Sequence, residues 1–495
     1  MDIVAMCPSR LSLLLCAAAA LAAPASAARV AGRGESHVAV SDAAAARAAP
    51  LGPDADRITA LPGLSSSAAF EQYAGYLDVP GGKGNKSIFF WFVAATDVDP
   101  ASAPVVAWTN GGPGCSGLLG FLSEQGPFRP DKDGNININD FAWTKRANMI
   151  FVEQPAGVGF STVSDDADLT TGDEQASADF VNAVGVFFDK FSALRGNEFF
   201  VASESWGGHY APWFSRAIIR AQAAGTLDSR INFGGMAVGN PFDELVENTY
   251  GRYGMLGGKQ LVPAPIYNQW EASCKMVDLN SRPAACGDLE DQMDAITRGL
   301  NPYALDWPTC LSNDGRRAVG AQQRKMMAGI AAARRGKSDA AALTLGDYEP
   351  CEDDYVSAYL NRNDVQEAIH AKPSIKWSEC SDAIRYDQDD YNRPSHVLYP
   401  EIIAAKKKVL IFSGDDDSIC GGCGTQTWVW NINNNTDASA SSWSAWNTDD
   451  GQVAGFVTRL EGYTYATVHG AGHEVPSYEP ERALKLISNF LDGTW

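Results

Sequence analysis

The sequence predicts an α/β fold: a central, mostly parallel, doubly wound sheet with helices on both faces and an inserted, mainly helical cap. Three observations lead there. Strand-like apolar runs alternate with helix-spaced segments from about residue 104 to 240, the rhythm of a doubly wound sheet. That rhythm stops over residues 241–360, a stretch helical in pattern that holds Cys274, Cys286, Cys310 and Cys351. It resumes in "KKKVLIFSGDDD" and "YTYATVHGAGH" and closes on a helix, "PERALKLISNFL".

Taken in order, the chain starts with an apolar run, "LSLLLCAAAALAAPASAA", that follows Arg10 and ends in small residues. It is short for a bilayer span and carries an A-x-A-like site, so residues 1–28 read as a secretory signal peptide. Residues 29–55 are Ala/Gly-rich without period, a linker or pro-segment. The first part of the core is expected over 56–240. "AGYLDV" and "SIFFWFVA", joined by "PGGKGN", read as a hairpin. "PVVAWTN", "ANMIFVEQP", "NEFFVAS" and "INFGGMAVGNPF" read as further strands. Between them, Phe180, Val184, Phe187, Phe188 and Phe191 recur at helical spacing. The cap is expected over 241–360 and the second part of the core over 361–495.

Composition narrows the function. The chain has 495 residues, 45% hydrophobic and 20% charged, enough for a large core, and its formal net charge of −21 argues against nucleic acid. Beyond the leader no run is apolar for long enough to span a membrane, so no membrane association is expected after its removal. Of ten cysteines, Cys7 and Cys16 leave with the signal, and the even remainder in an oxidising compartment favours disulfides over a metal site. Asn85 and Asn434 open glycosylation sequons. No metal and no cofactor are expected.

Candidate reactive groups follow core strands. In "FFVASESWGGHYAP" a strand runs into a sharp turn and then a helix, the setting of a nucleophilic serine, although Ser203 replaces the first glycine of G-x-S-x-G. Ser205 is the candidate nucleophile. "FSGDDDS" supplies the acid, Asp417, with Asp415 as alternative. Of six histidines, His473 is the candidate base, with His469 sharing its loop. Ser, Asp and His then fall in α/β-hydrolase order. The backbone N–H of Trp206 and one from the glycine turn "NGGPG" are candidate oxyanion donors.

Together, "AWTNGGPGCSG", "SESWGGHYAP", "FSGDDDSIC" and "HGAGHEVP" resemble the serine carboxypeptidase family. The resemblance implies an α/β-hydrolase fold and hydrolysis of the C-terminal peptide bond of peptides and proteins with a free C-terminus, at acidic pH. It implies Ser205, Asp417 and His473 as the triad and Gly112 and Trp206 as oxyanion donors. Asn110, Gly111 and Glu204 would hold the substrate carboxylate, with Glu124 behind them. It also implies the pairs Cys115–Cys380, Cys274–Cys286 and Cys310–Cys351, leaving Cys420 and Cys423 unassigned. Departures are Ser203, Glu153 in place of Asp, "CGGC", and Trp206 in place of Tyr, which would reshape the pocket for the residue before the scissile bond. Some relatives are cut within the cap, and Arg316-Arg317 and Arg334-Arg335 are sites for such a cut. An acyltransferase on the same triad, against which the retention of Asn110 weighs, and a protective or binding protein are the alternative functions. Vacuole or lysosome and extracellular space both remain open, as do monomer and homodimer.

Overall fold

The computed structural model describes residues 50–65, 70–278, 281–310, 350–434 and 443–495. The leader, most of the linker and both Arg-Arg pairs lie outside the described residues, as does the side chain of Asn434.

An eleven-stranded sheet forms the centre of the molecule. Its first seven principal strands are β1 (Gln72–Pro80), β2 (Asn85–Val93), β3 (Val105–Thr109), β4 (Asn148–Val152), β5 (Phe199–Glu204), β6 (Phe233–Gly239) and β7 (Lys408–Gly414). β8 (Ser444–Asn447), β9 (Val453–Leu460) and β10 (Tyr463–Val468) complete the set. The spatial order is β1-β2-β4-β3-β5-β6-β7-β10-β9-β8, with a short strand, Thr162–Val163, paired to β2. β1 and β2 form the antiparallel hairpin, in register from Gln72↔Val93 to Pro80↔Asn85. β4, β3, β5, β6, β7 and β10 run parallel, whereas at the far edge β9 pairs antiparallel with β10 and β8 antiparallel with β9.

Side-chain alternation along each strand divides the interior into two layers. Val105 and Ala107 of β3 point into one layer, Val106 and Trp108 into the other. The first layer is closed by α2 (Asp173–Lys190) and α3 (Gly207–Ala224), where Phe180 stacks on Phe214 at 4.2 Å. The second is closed by α1 (Leu118–Ser123) and the C-terminal helix Pro480–Asp492. Ala483, Leu486, Ile487, Phe490 and Leu491 of that last helix recur at the 3.6-residue period and are all buried. Each buried Leu or Phe of these layers contributes ~1.5–3 kcal/mol.

After β6 come α4 (Leu245–Gly258), α5 (Ala264–Cys274) and α6 (Ala284–Ile296), which share a separate apolar cluster around Trp270, Leu256 and Met293. A disulfide, Cys274–Cys286, ties α5 to α6. The later helix α7 (Glu352–Leu360) packs differently: Val356, Tyr359 and Leu360 enter the second core layer, not the α4–α6 cluster. Cys310–Cys351 and Cys115–Cys380 are also bridged, while Cys420 and Cys423 are free thiols. No described helix is long and apolar enough to cross a membrane.

Candidate active site

The carboxyl ends of the neighbouring strands β3, β5, β6, β7 and β10 deliver Asn110, Ser205, Asn240, Asp417 and His473 to one edge of the sheet, where ligand sites of open α/β sheets form. The register makes this local: Thr109 pairs with Ser203, Glu204 with Gly239, and Gly414 with Val468.

Ser205 sits at φ 61°, a left-handed conformation that costs a non-glycine residue ~1–2 kcal/mol. The turn is held from several sides. The Ser205 N–H donates to Gly239 O (3.1 Å), and its carbonyl accepts from the N–H groups of Phe242 (2.8 Å) and Gly208 (2.9 Å). The substituted first glycine is accommodated because the Ser203 hydroxyl donates to Thr109 O at 2.6 Å, across from Gly207, which has no Cβ to meet it. The Ser205 hydroxyl also interacts with the buried Cys420 thiol, which burial pushes well above its usual pKa.

The three consecutive aspartates have three separate partners. Asp415 accepts from His469 Nδ1 and Gly470 N–H (both 2.7 Å) near the surface. Asp416 pairs with Lys259 and accepts from Asp306 N–H at 2.9 Å. Only Asp417 meets His473, at 2.8 Å from Nδ1, with both side chains fully buried. Asp417 also accepts from Asn240 Nδ2 (2.8 Å), Ile419 N–H (2.6 Å) and Cys420 N–H (3.1 Å). Its oxygens are therefore held by four donors, which orients the imidazole. His473 Nε2 is buried and has no hydrogen-bond partner among the described residues. Burial alone would lower the His473 pKa; the charge and hydrogen bond of Asp417 outweigh it and raise the value above the usual histidine range.

Beside Ser205, Asn110 Nδ2 donates to Glu124 Oε1 (2.7 Å) and Glu204 Oε1 (2.8 Å). The amide orientation is set on its other side, where Oδ1 accepts from Trp108 Nε1 (2.8 Å) and Gly120 N–H (3.1 Å). Asn110, Glu124 and Glu204 are each no more than 2% exposed. Desolvation, before any other cause, pushes the Glu124 carboxyl up to about 7 and Glu204 well above its normal value, and Glu204 is raised further by the Glu124 charge. Two carboxyls confined this closely cannot both ionise cheaply, so the cluster carries a proton at neutral pH. Gly111 lies against the elbow: a Cβ there would fall 2.4 Å from Trp206 N and 2.8 Å from Ser205 Cβ. The N–H groups of Gly112 and Trp206 therefore belong to backbone segments in direct contact. The Trp206 ring, expected to shape a substrate pocket, is 1% exposed and stacks on His209 at 4.2 Å, packed with Phe242, Tyr386 and Tyr391.

A model of the serine carboxypeptidase family matches residues 62–493. The chain belongs to the serine carboxypeptidase family. Serine carboxypeptidase 24 of Arabidopsis thaliana is 34% identical over 444 residues, covering 88% of this chain and 92% of that protein. A P-(S)-hydroxymandelonitrile lyase of Sorghum bicolor is 32% identical over 447 residues, 88% and 84% of the two chains. Among solved structures, a prohormone-processing carboxypeptidase of Saccharomyces cerevisiae superposes with a TM-score of 0.70 at 19% identity, covering 86% of this chain and 92% of that one. The fold is that of the α/β-hydrolases.

Sequence reasoning passed over two groups of residues. Asn240, at the end of β6, bridges the Asp417 carboxylate and the Gly414 N–H (3.1 Å), and its place at a strand end was the available signal. The segment 302–306 braces both loops: Tyr303 O accepts from His473 N–H (2.7 Å), Pro302 O from Ser418 Oγ (2.7 Å), and Leu305 N–H donates to Asp416 O (3.1 Å). Nothing local in "NPYALD" announces that role. Two described clusters have metal-ligand composition, Cys310–Cys351–Asp354, whose cysteines are bridged, and Asp243–Glu247–His396.

Proposed function

We propose that this chain is a serine-type carboxypeptidase that releases the C-terminal residue of peptides and proteins at acidic pH. The observation that carries the reading is the buried Asn110–Glu124–Glu204 cluster next to Ser205, a neutral amide donor with a carboxyl that stays protonated. Such a group binds a substrate carboxylate by sharing its proton, where an ionised one would repel it.

In this reading the substrate carboxylate meets Asn110, the Gly111 N–H and protonated Glu204, with Glu124 behind. Ser205 Oγ attacks the last peptide carbonyl, and His473 Nε2, the ring nitrogen left uncommitted, takes the serine proton. Asp417 holds the opposite ring nitrogen and stabilises the imidazolium. The N–H groups of Gly112 and Trp206 receive the oxyanion. The proton then passes to the leaving amine, and water, deprotonated by His473, hydrolyses the acyl-enzyme. The signal-like leader and three disulfides support passage through the secretory pathway, to a vacuole or lysosome or to the outside.

The test is release of the last residue from an N-blocked dipeptide between about pH 4 and 8, beside the same peptide amidated at its C-terminus. Preferential cleavage of the free acid at low pH, abolished in Ser205→Ala, supports the proposal. If neither peptide is cleaved but an activated ester acylates Ser205, acyl transfer replaces it.

A further inference from the structure

Where the chain leaves β6, Asp243, Glu247 and His396 bring two carboxylate oxygens and a ring nitrogen within 4.8 Å of one another. Asp243 lies just before α4 and Glu247 in its first turn. His396 arrives from a distant part of the chain. Its N–H donates to Asp243 Oδ1 and its Nδ1 lies against Oδ2, both at 2.6 Å. Asp243 and Glu247 are 3% and 8% exposed, while the His396 side chain is 27% exposed and leaves a way in from solvent.

The cluster is poorly neutralised. Among the described residues, His396 is the one cationic side chain ion-paired to it. Glu247 meets Asp243 directly, and a proton shared between the two would account for that contact. It would not account for the rest. Among the described residues, Glu247 Oε2 is buried with no hydrogen-bond partner, and so is the Tyr399 hydroxyl, which lies within the influence of the Asp243 charge. Buried polar atoms are rarely left without a partner, and two at one acidic group point to a bound species.

We propose that Asp243, Glu247 and His396 form a site for a divalent transition cation, zinc in the first instance. Two carboxylates and one imidazole are a donor set that suits zinc, with a further position for water. Bonds form from one oxygen of each carboxylate and from Nδ1, and the protons these atoms carried pass to solvent. No electron transfer is involved. The Tyr399 hydroxyl would donate to a ligand carboxylate, and Trp428, stacked on the imidazole at 5.6 Å and 11°, would hold the ring.

The cation would act as a brace. Asn248, next to Glu247, donates to Ile419 O (3.0 Å), and the Ile419 N–H donates to Asp417. Fixing the first turn of α4 therefore steadies the loop that carries the acid, whatever reaction the site performs.

The experiment uses the full chain, stripped with a chelator, reloaded with zinc at neutral pH and freed of excess metal by gel filtration. About one retained zinc per chain is expected, with a rise in Tm. Affinity should fall by about tenfold or more in both Glu247→Gln and His396→Gln, since even outer-shell losses cost that much. Cobalt should give a visible d–d band in the native protein and none in the variants. Absence of retained zinc in the native chain overturns the proposal without reference to any variant. Undiminished zinc in Glu247→Gln overturns it too, as does a metal-free gain in stability of that variant with zinc without effect on the native chain, the mark of a shared proton.

Discussion

Asn110 shows how one side chain sets the character of a site. Its amide is anchored by Trp108 and Gly120 and spends both donor hydrogens on carboxyls. In the proposed reading one of those hydrogens passes from a carboxyl to the substrate carboxylate on binding, and Asn110→Ala removes a charge-assisted hydrogen bond worth ~1.5–3 kcal/mol. KM for free-acid peptides should rise about tenfold to a hundredfold with kcat little changed, the pattern of lost ground-state binding. The pH dependence follows from the same residues. A carboxyl whose pKa is raised is protonated below that value and donates to the substrate; above it, the group is charged and repels. With Glu124 raised to about 7 and Glu204 also raised well above its usual value, KM should climb as pH passes about 7. Glu204→Gln, permanently neutral, should flatten that climb, and steady-state kinetics across pH would show it.

At the level of elements, the elbow is a place where backbones touch. Gly208 opens α3 against the next loop, and a Cβ there would lie 2.0 Å from Phe242 O. Backbone cannot move aside as a side chain can, so Gly208→Ala should cost about 3 kcal/mol or more and displace the strained Ser205 turn. Urea unfolding with an activity assay would register both losses. Gly185, inside α2, is the contrasting case: a methyl added there would meet Leu227 Cδ1 at 3.6 Å, an ordinary contact. Gly185→Ala should stabilise the protein by ~0.5–1 kcal/mol through chain entropy alone. An equal effect of the two substitutions would contradict the packing argument.

At the level of the whole molecule, stability should favour acid. Glu153 is buried, accepting from Ser116, Trp377 and the Phe160 N–H, and desolvation outweighs these bonds to raise its carboxyl from 4.5 to about 7. Burial does the same to Glu474, to about 8, and to the Glu124–Glu204 pair. A group whose folded pKa is raised stabilises fully below its unfolded value and loses that contribution as pH rises through the folded one. For Glu153 alone the loss approaches ~3 kcal/mol between 4.5 and about 7. The net charge of −21 adds self-repulsion over the same interval. Tm should therefore fall steadily from mildly acidic to mildly alkaline pH, less steeply in Glu153→Gln. A flat or rising profile would refute this.

The sequence by itself determined the α/β rhythm, the hairpin, the strand–turn–helix around Ser205 and the motif blocks at strand ends. Periodicity and spacing are properties of contiguous chain, and they survive without knowledge of the partner. The motif also named Asp417 as the acid, with Asp415 as the alternative. Tertiary structure gave the three aspartates their separate partners, His469 for Asp415, Lys259 for Asp416 and His473 for Asp417, through the register of β7 against β10. It also turned Trp206 into the core, sent α7 to the main layer, and recruited Asn240 and the 302–306 segment to the reacting loops. The charge state of Glu124 and Glu204 belongs to the same category. Desolvation is a property of what surrounds a group, and those surroundings come from strands and loops far apart in the chain.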